Sequence, residues 1–182
     1  QHVKFILTCD NRKSLLDTII SRVTVYTLET PTKEECAKAL LEKFPEISEN
    51  EAELFSIAYG GNFGAASAGF SEGKSEVVLL AAKTPELLKK GESYILASEI
   101  AEKCKTRESL LDFFERLLNI TGRCGIDRAA GRKTPVRVSP IEAVKTSEII
   151  ERGKLAVLQN CSLELTESWL CMELSRVFGG NL

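Results

Sequence analysis

The sequence predicts a mainly α-helical protein that opens with a short strand–helix–strand (βαβ) fragment. Three observations carry that expectation. The β-type signal is confined to the opening of the chain, in Val3-Lys4-Phe5-Ile6-Leu7-Thr8-Cys9 and Val23-Thr24-Val25-Tyr26-Thr27-Leu28. Beyond Pro31, helix-start signals recur ahead of apolar residues spaced three and four apart. After Leu28 the β signal does not return.

Between the two β-type runs, Ser14 to Val23 reads as a short helical segment that ends on Arg22. Parallel strands need a crossover of this kind. Two strands cannot bury both faces of a parallel sheet. The fragment therefore reads as the end of a sheet whose other strands lie upstream, and the start at Gln1 without a Met fits a chain cut from something longer.

The helical part begins at Pro31. Thr32-Lys33-Glu34-Glu35 has the form of a capping box ahead of Cys36, Ala39, Leu40 and Phe44. Ser48-Glu49-Asn50-Glu51 repeats it before Leu54, Phe55, Ala58 and Tyr59, and Gly60-Gly61 closes that helix. A third helix starts near Asn62 and carries Ala65, Ala66, Ala68 and Phe70. Three helices this short are too small to fold alone and must lean on their neighbours.

Ser71-Glu72-Gly73-Lys74 is a polar joint into a longer helical stretch. There Thr84-Pro85 reads as an N-cap followed by Pro at the first helical position. Leu110, Leu111, Phe114, Leu117 and Leu118 form an amphipathic stripe. Gly131-Arg132-Lys133-Thr134-Pro135 breaks the chain, and Ser139-Pro140-Ile141-Glu142 opens a helix running toward Asn160. A last helix, with Leu163, Trp169, Leu170, Leu174, Val177 and Phe178, ends at Gly179-Gly180.

Composition narrows the function. A formal net charge of −2 gives no global electrostatic basis for binding nucleic acid. No run approaches 18 apolar residues and no signal-peptide pattern opens the chain, so the expectation is a cytoplasmic protein without membrane contact. The six cysteines, Cys9, Cys36, Cys104, Cys124, Cys161 and Cys171, form no CxxC pair, and His2 is the only histidine. That set does not suit a zinc site, and the thiols read as reduced small hydrophobes.

No phosphate-cradling GxxxxGK[ST], GxSxG or HExxH is present, and carboxylates are spread over helix faces. Catalytic machinery is not visible in this chain. Arg22 carries one sharp possibility: just past a crossover helix, it is placed to project toward a neighbouring subunit as an arginine finger. The plainer reading, favoured on spacing alone, is that it answers the C-terminal dipole of its own helix. Gly60-Gly61-Asn62-Phe63-Gly64-Ala65-Ala66 has the form of an anion-binding loop at a helix start. With no following Lys or Ser/Thr it reads better as a tight helix–helix turn. Arg123, Arg128, Arg132, Lys133 and Arg137 stand against Asp127 alone. They suit either a phosphate backbone or a solvated loop after a helix, and without aromatics for stacking the loop is preferred.

Phe5-Ile6-Leu7-Thr8-Cys9-Asp10-Asn11, followed by Leu15-Leu16-Asp17-Thr18-Ile19-Ile20-Ser21-Arg22-Val23, resembles the sensor 1 to SRC stretch of the clamp-loader subunits of the AAA+ family, where a strand precedes an LLPTIxSRC-type segment. Gly61-Asn62-Phe63-Gly64-Ala65-Ala66 is similar to the GSPGAAL stretch of the delta-prime type of those subunits in bacterial DNA polymerase III, and Lys154 to Phe178 resembles that type's C-terminal helices.

The resemblance implies that residues 1–30 end an AAA+ core, 31–72 form a three-helix lid, and 73–182 form a helical collar for oligomerisation. It implies that Arg22 acts in trans on ATP bound by an adjacent motor subunit, and that Thr8 to Asn11 match sensor 1. Val23 stands where the family usually has Cys. Gly64 stands where ATP-hydrolysing subunits place a sensor 2 Arg, which favours the delta-prime type over gamma/tau. The implied partners are the motor ATPase and delta subunits and, through the complex, the sliding clamp and primed DNA. No cofactor is implied for this chain, because nucleotide-site remnants and a zinc module would lie upstream. The alternatives are a fragment of an ATP-hydrolysing gamma/tau-type subunit and a helical scaffold unrelated to replication.

Overall fold

The computed structural model describes residues 3–9, 15–29, 31–73 and 75–179. Contacts divide the chain into two compact units, Gln1–Thr30 and Pro31–Leu182. The protein is mainly helical, and among the described residues no strand is formed.

Among the described residues of the first unit the one regular element is α1 (Asp17–Ile20). Ser21 closes it, its amide donating to the Asp17 carbonyl and its hydroxyl to that of Thr18 at 3.2 Å. The expected strand–helix–strand fragment is therefore seen only as its helix. Val3–Cys9 and Val23–Leu28 are β-type in composition, but a strand exists only where its N–H and C=O groups find a ladder partner. Neither segment has one among the described residues, and Phe5 and Ile6 are 85% and 91% exposed. Asp10, Asn11 and the expected helix start at Ser14 lie outside the described residues.

The second unit holds eight helices among the described residues: α2 (Lys33–Lys43), α3 (Glu49–Ala58), α4 (Phe63–Ser71), α5 (Ser75–Lys89), α6 (Ser93–Lys103), α7 (Arg107–Ala129), α8 (Pro140–Leu158) and α9 (Leu163–Phe178). Their starts are set by local chemistry. Thr32, Ser48 and Ser139 each accept from the backbone amide three residues on, and Glu35, Glu51 and Glu142 reach back to the cap. Each box satisfies two otherwise orphaned donors. Thr106 and Ser109 make a shorter version at the head of α7. Gly60 and Gly61, at φ of +62° and +81°, turn the chain sharply enough that only four residues separate α3 from α4.

One expected boundary is wrong. Thr84-Pro85 does not start a helix; both residues sit buried inside α5. A proline there lacks the amide that would bond the Ala81 carbonyl. The Thr84 hydroxyl, instead of capping, donates to the Leu80 carbonyl at 2.9 Å.

Helices α2 to α4 meet through aromatic rings. Phe70 lies 4.7 Å from Phe44 and 5.5 Å, edge-on, from Phe55. Gly69 belongs to the same packing, because a Cβ there would fall 2.0 Å from the Tyr59 oxygen. The three helices do not stand alone. The guanidinium of Arg116 and the amide of Asn119, both on α7, donate to the Ala58 carbonyl at 2.7 and 2.9 Å and so satisfy the open end of α3. Arg116 also lies 4.0 Å over the Tyr59 ring.

Helix α7 is the axis of the unit. Phe113, Phe114, Leu117, Ile120 and Cys124 are fully buried along it, against Ile150 and Val157 of α8 and the cores of α5 and α3. α9 packs on α8, α6 and α5 and buries Leu170 and Leu174. Helices α7 and α8 come close at glycines: Gly125 meets α8 where an added Cβ would sit 2.5 Å from the Ala143 Cβ, and Gly153 faces the Phe114 ring.

That close approach generates a paired test. Gly122→Ala, on the same helix with open space around it, is expected to stabilise the protein by about 0.5–1 kcal/mol through helix propensity. Gly125→Ala carries the same propensity gain but forces two rigid Cβ atoms together, and is expected to destabilise by roughly 1–3 kcal/mol net. Urea denaturation of the two variants measures the difference; equal stabilisation by both would contradict the close packing.

Candidate functional site

Three places hold the residues singled out by sequence, one in the first unit and two in the second. In the first, Arg22 follows the last turn of α1, its amide donating to the Ile19 carbonyl at 3.0 Å. It is exposed, and among the described residues its side chain forms no ion pair and no hydrogen bond, including to the α1 carbonyls. A four-residue helix also presents little dipole for it to answer.

In the second unit the basic segment is not one loop. α7 continues to Ala129, so Arg123, Asp127 and Arg128 are helical and only Arg132, Lys133 and Arg137 lie on the connection to α8. The helix persists because Asp127 is not a solvated surface acid. Its side chain is 1% exposed and accepts from Lys33 of α2 at 2.8 Å, from Arg123 one turn back at 3.1 Å and from Arg132 at 2.9 Å. Burial pushes its carboxyl up, but the Lys33 hydrogen bond and charge, with Arg123, outweigh that and hold it below the usual carboxylate range. Sequence reasoning missed Lys33 as its partner, because the two residues are 94 positions apart.

Past α7 the chain turns at Gly131 (φ +71°), and the Arg132 amide donates back to the Asp127 carbonyl at 2.8 Å. The far end is pinned as well. Lys89 of α5 donates to the Arg137 carbonyl at 2.8 Å and pairs with Glu142 at 3.0 Å, while Val136 and Val138 are buried. Between these anchors Arg128, Arg132, Lys133, Thr134 and Arg137 line an open concavity of about 490 Å³.

The glycine-rich turn offers less. The Asn62 side chain accepts from the Ala65 amide at 3.0 Å, so α4 is capped by its own residue. Gly64 is exposed in the first turn, without a cationic side chain. Cys36, Cys104, Cys124 and Cys171 are buried in the core, whereas Cys9 and Cys161 are exposed. Burial pushes the Cys104 and Cys171 thiols up to about 12 and about 11, with Glu167 adding to both. Such thiols are unreactive. No group of metal-ligating side chains forms among the described residues, and no helix among them is long and apolar enough to cross a membrane.

Two outcomes follow from this geometry. Asp127→Asn is expected to destabilise the protein by roughly 2 kcal/mol at pH 7, as hydrogen bonds to a charged acceptor become neutral ones. Because the folded-state pKa of Asp127 is lowered, its contribution is present above the unfolded-state Asp pKa of about 3.9 and fades as pH falls through the folded value. The gap between wild type and variant in urea melts should therefore close under strongly acidic conditions; a gap constant with pH would contradict the ion cluster. In native protein a thiol reagent such as dithionitrobenzoate is expected to react fast with Cys9 and Cys161 only, the buried four following on unfolding.

In comparisons with known proteins, no family model, no curated protein and no solved structure matches this chain.

Proposed function

We propose that this chain is the C-terminal part of a delta-prime-type clamp-loader subunit of DNA polymerase III. It helps assemble the loader ring and contributes Arg22 in trans to ATP hydrolysis by a neighbouring motor subunit during sliding-clamp loading. In this reading residues 1–30 end an AAA+ core whose remaining strands pair with Val3–Cys9 and Val23–Leu28. Residues 31–72 are its lid, 73–182 its collar, and the protein works in the cytoplasm with the motor and delta subunits, the clamp and primed DNA.

The observation that carries the reading is the run Leu15-Leu16-Asp17-Thr18-Ile19-Ile20-Ser21-Arg22 behind a β-type segment, together with an Arg22 side chain left exposed and unpaired among the described residues. A guanidinium is always charged and offers planar donors, the equipment needed to stabilise charge on a transferring γ-phosphoryl group.

Two further features support it. With Gly64, the first turn of α4 carries no cationic side chain of its own, which suits a subunit that does not hydrolyse ATP itself and weakens the gamma/tau alternative. On α8, Ile141, Val144, Leu155 and Leu158 are 57–69% exposed and fall within roughly 100° of arc, a face suited to packing between collar domains.

The test is Arg22→Ala in the intact subunit, reconstituted with motor and delta subunits. Assembly is expected to persist, while hydrolysis at the site that Arg22 serves falls by about 10³-fold. Unchanged ATPase in a fully assembled complex would remove the finger role.

A further inference from the structure

The solvent-facing side of α8 carries a pattern that goes beyond the clamp-loader reading. We propose that α8 is the seam of a homodimer, in which a second copy of this chain lays its own α8 antiparallel across it. The proposal rests on the spacing and charge of this helix and does not require the chain to be a clamp-loader subunit.

Spacing comes first. Ile141, Val144, Glu148, Glu151, Leu155 and Leu158 are all exposed, and they follow one another at intervals of three, four, three, four and three residues. These are the first and fourth places of three successive heptads, the period of a coiled-coil seam. From Ile141 to Leu158 the seam runs about 26 Å, apolar at both ends and charged in the middle. The other side of the helix is the buried one, where Ile150, Gly153 and Val157 meet the core.

Reversal lays the seam on itself. Ile141 and Leu158 stand equally far from its middle, as do Val144 and Leu155. In an antiparallel pair Ile141 meets Leu158 of the second copy and Val144 meets Leu155, so each apolar end covers an apolar end. A contact made by the same patch on both copies closes as a two-fold dimer.

The centre supplies charge complementarity. Arg152 lies on the flank of the seam, its guanidinium 5.2 Å from the centre of the Trp169 ring of α9. Held there it does not pair with Glu148 of its own helix, and Glu148 forms no ion pair or hydrogen bond among the described residues. Antiparallel packing brings Arg152 of the second copy within about 1.5 Å of Glu148 along the axis, whereas parallel packing leaves it about 6 Å away. Two such bridges form, related by the two-fold. Glu151 is already held by Lys154 at 3.0 Å. Polar groups at the middle of a seam fix register and orientation at a cost in affinity. They also interrupt the continuous apolar face that a lipid surface requires.

One helix per copy buries less than the roughly 1,200 Å² of a standard interface, so we expect a Kd on the order of 10 µM. Sedimentation equilibrium of the full chain between about 1 and 200 µM, in about 0.15 M KCl, spans that value. Leu155→Glu, which sets an acid against Val144 of the second copy, should weaken association by at least about tenfold. Glu148→Arg and Arg152→Glu should each weaken it by about as much, because each leaves like charges facing across the seam. Mixed one to one, those two variants should associate about as tightly as the wild type, since every such facing pair is again of opposite sign. Tyr94→Glu, exposed on α6, is the control and should change nothing. Circular dichroism and Tm confirm that each variant is folded. A wild type that stays monomeric at the highest concentration would overturn the proposal and leave the face to a different protein. So would a dimer that Leu155→Glu leaves intact, or a mixture of Glu148→Arg and Arg152→Glu that fails to recover association.

Discussion

Everything in residues 31–182 depends on the burial of one long helix on several sides at once. α7 places Phe113, Phe114, Leu117, Ile120 and Cys124 in the core, and α3, α5 and α8 each pack on it. A helix used this way cannot be amphipathic in the ordinary sense, because several of its polar positions are covered too. Arg116, Thr121 and Asp127 are all buried; Arg116 and Asp127 are satisfied by partners the fold brings to them, and Thr121 by the Leu117 carbonyl of its own helix. Those partners matter for architecture. Arg116 and Asn119 close the end of α3, and Asp127 draws in Lys33 from the start of α2, so the short aromatic-packed helices are tied to α7 at both ends by charge-assisted bonds.

The parts of this fold that were legible in the sequence are those whose cause is local. Capping boxes at Thr32, Ser48 and Ser139 and the glycine pair after α3 act within four residues, and the helices begin and end where they say. Thr84-Pro85 was misread for an equally physical reason. A threonine before a proline serves an N-cap or a proline-containing helix turn, and here burial of both residues in α5 decides between them. The β-type runs at Val3–Cys9 and Val23–Leu28 show the limit from the other side: their composition is local, but a ladder is not.

The site was legible in part. The density of Arg and Lys between residues 123 and 137 is plain in the sequence, whereas their sorting into buried clasp and free surface is not. Asp127 looked like one acid diluted among cations. In the fold it takes Lys33, Arg123 and Arg132 and leaves Arg128, Lys133 and Arg137 to face solvent. Net charge is a poor guide to such a surface, since association follows the local field rather than the sum. Arg22 is a different case, where the sequence pattern supplies the functional idea and the structure supplies an exposed guanidinium to carry it.

The central functional claim is that this chain belongs in a heteromeric loader, and native mass spectrometry of the intact subunit mixed with motor and delta subunits tests it most directly. The account expects a complex that contains this subunit together with the motor and delta subunits. A subunit that remains alone at concentrations where the motor and delta subunits associate with each other would contradict it.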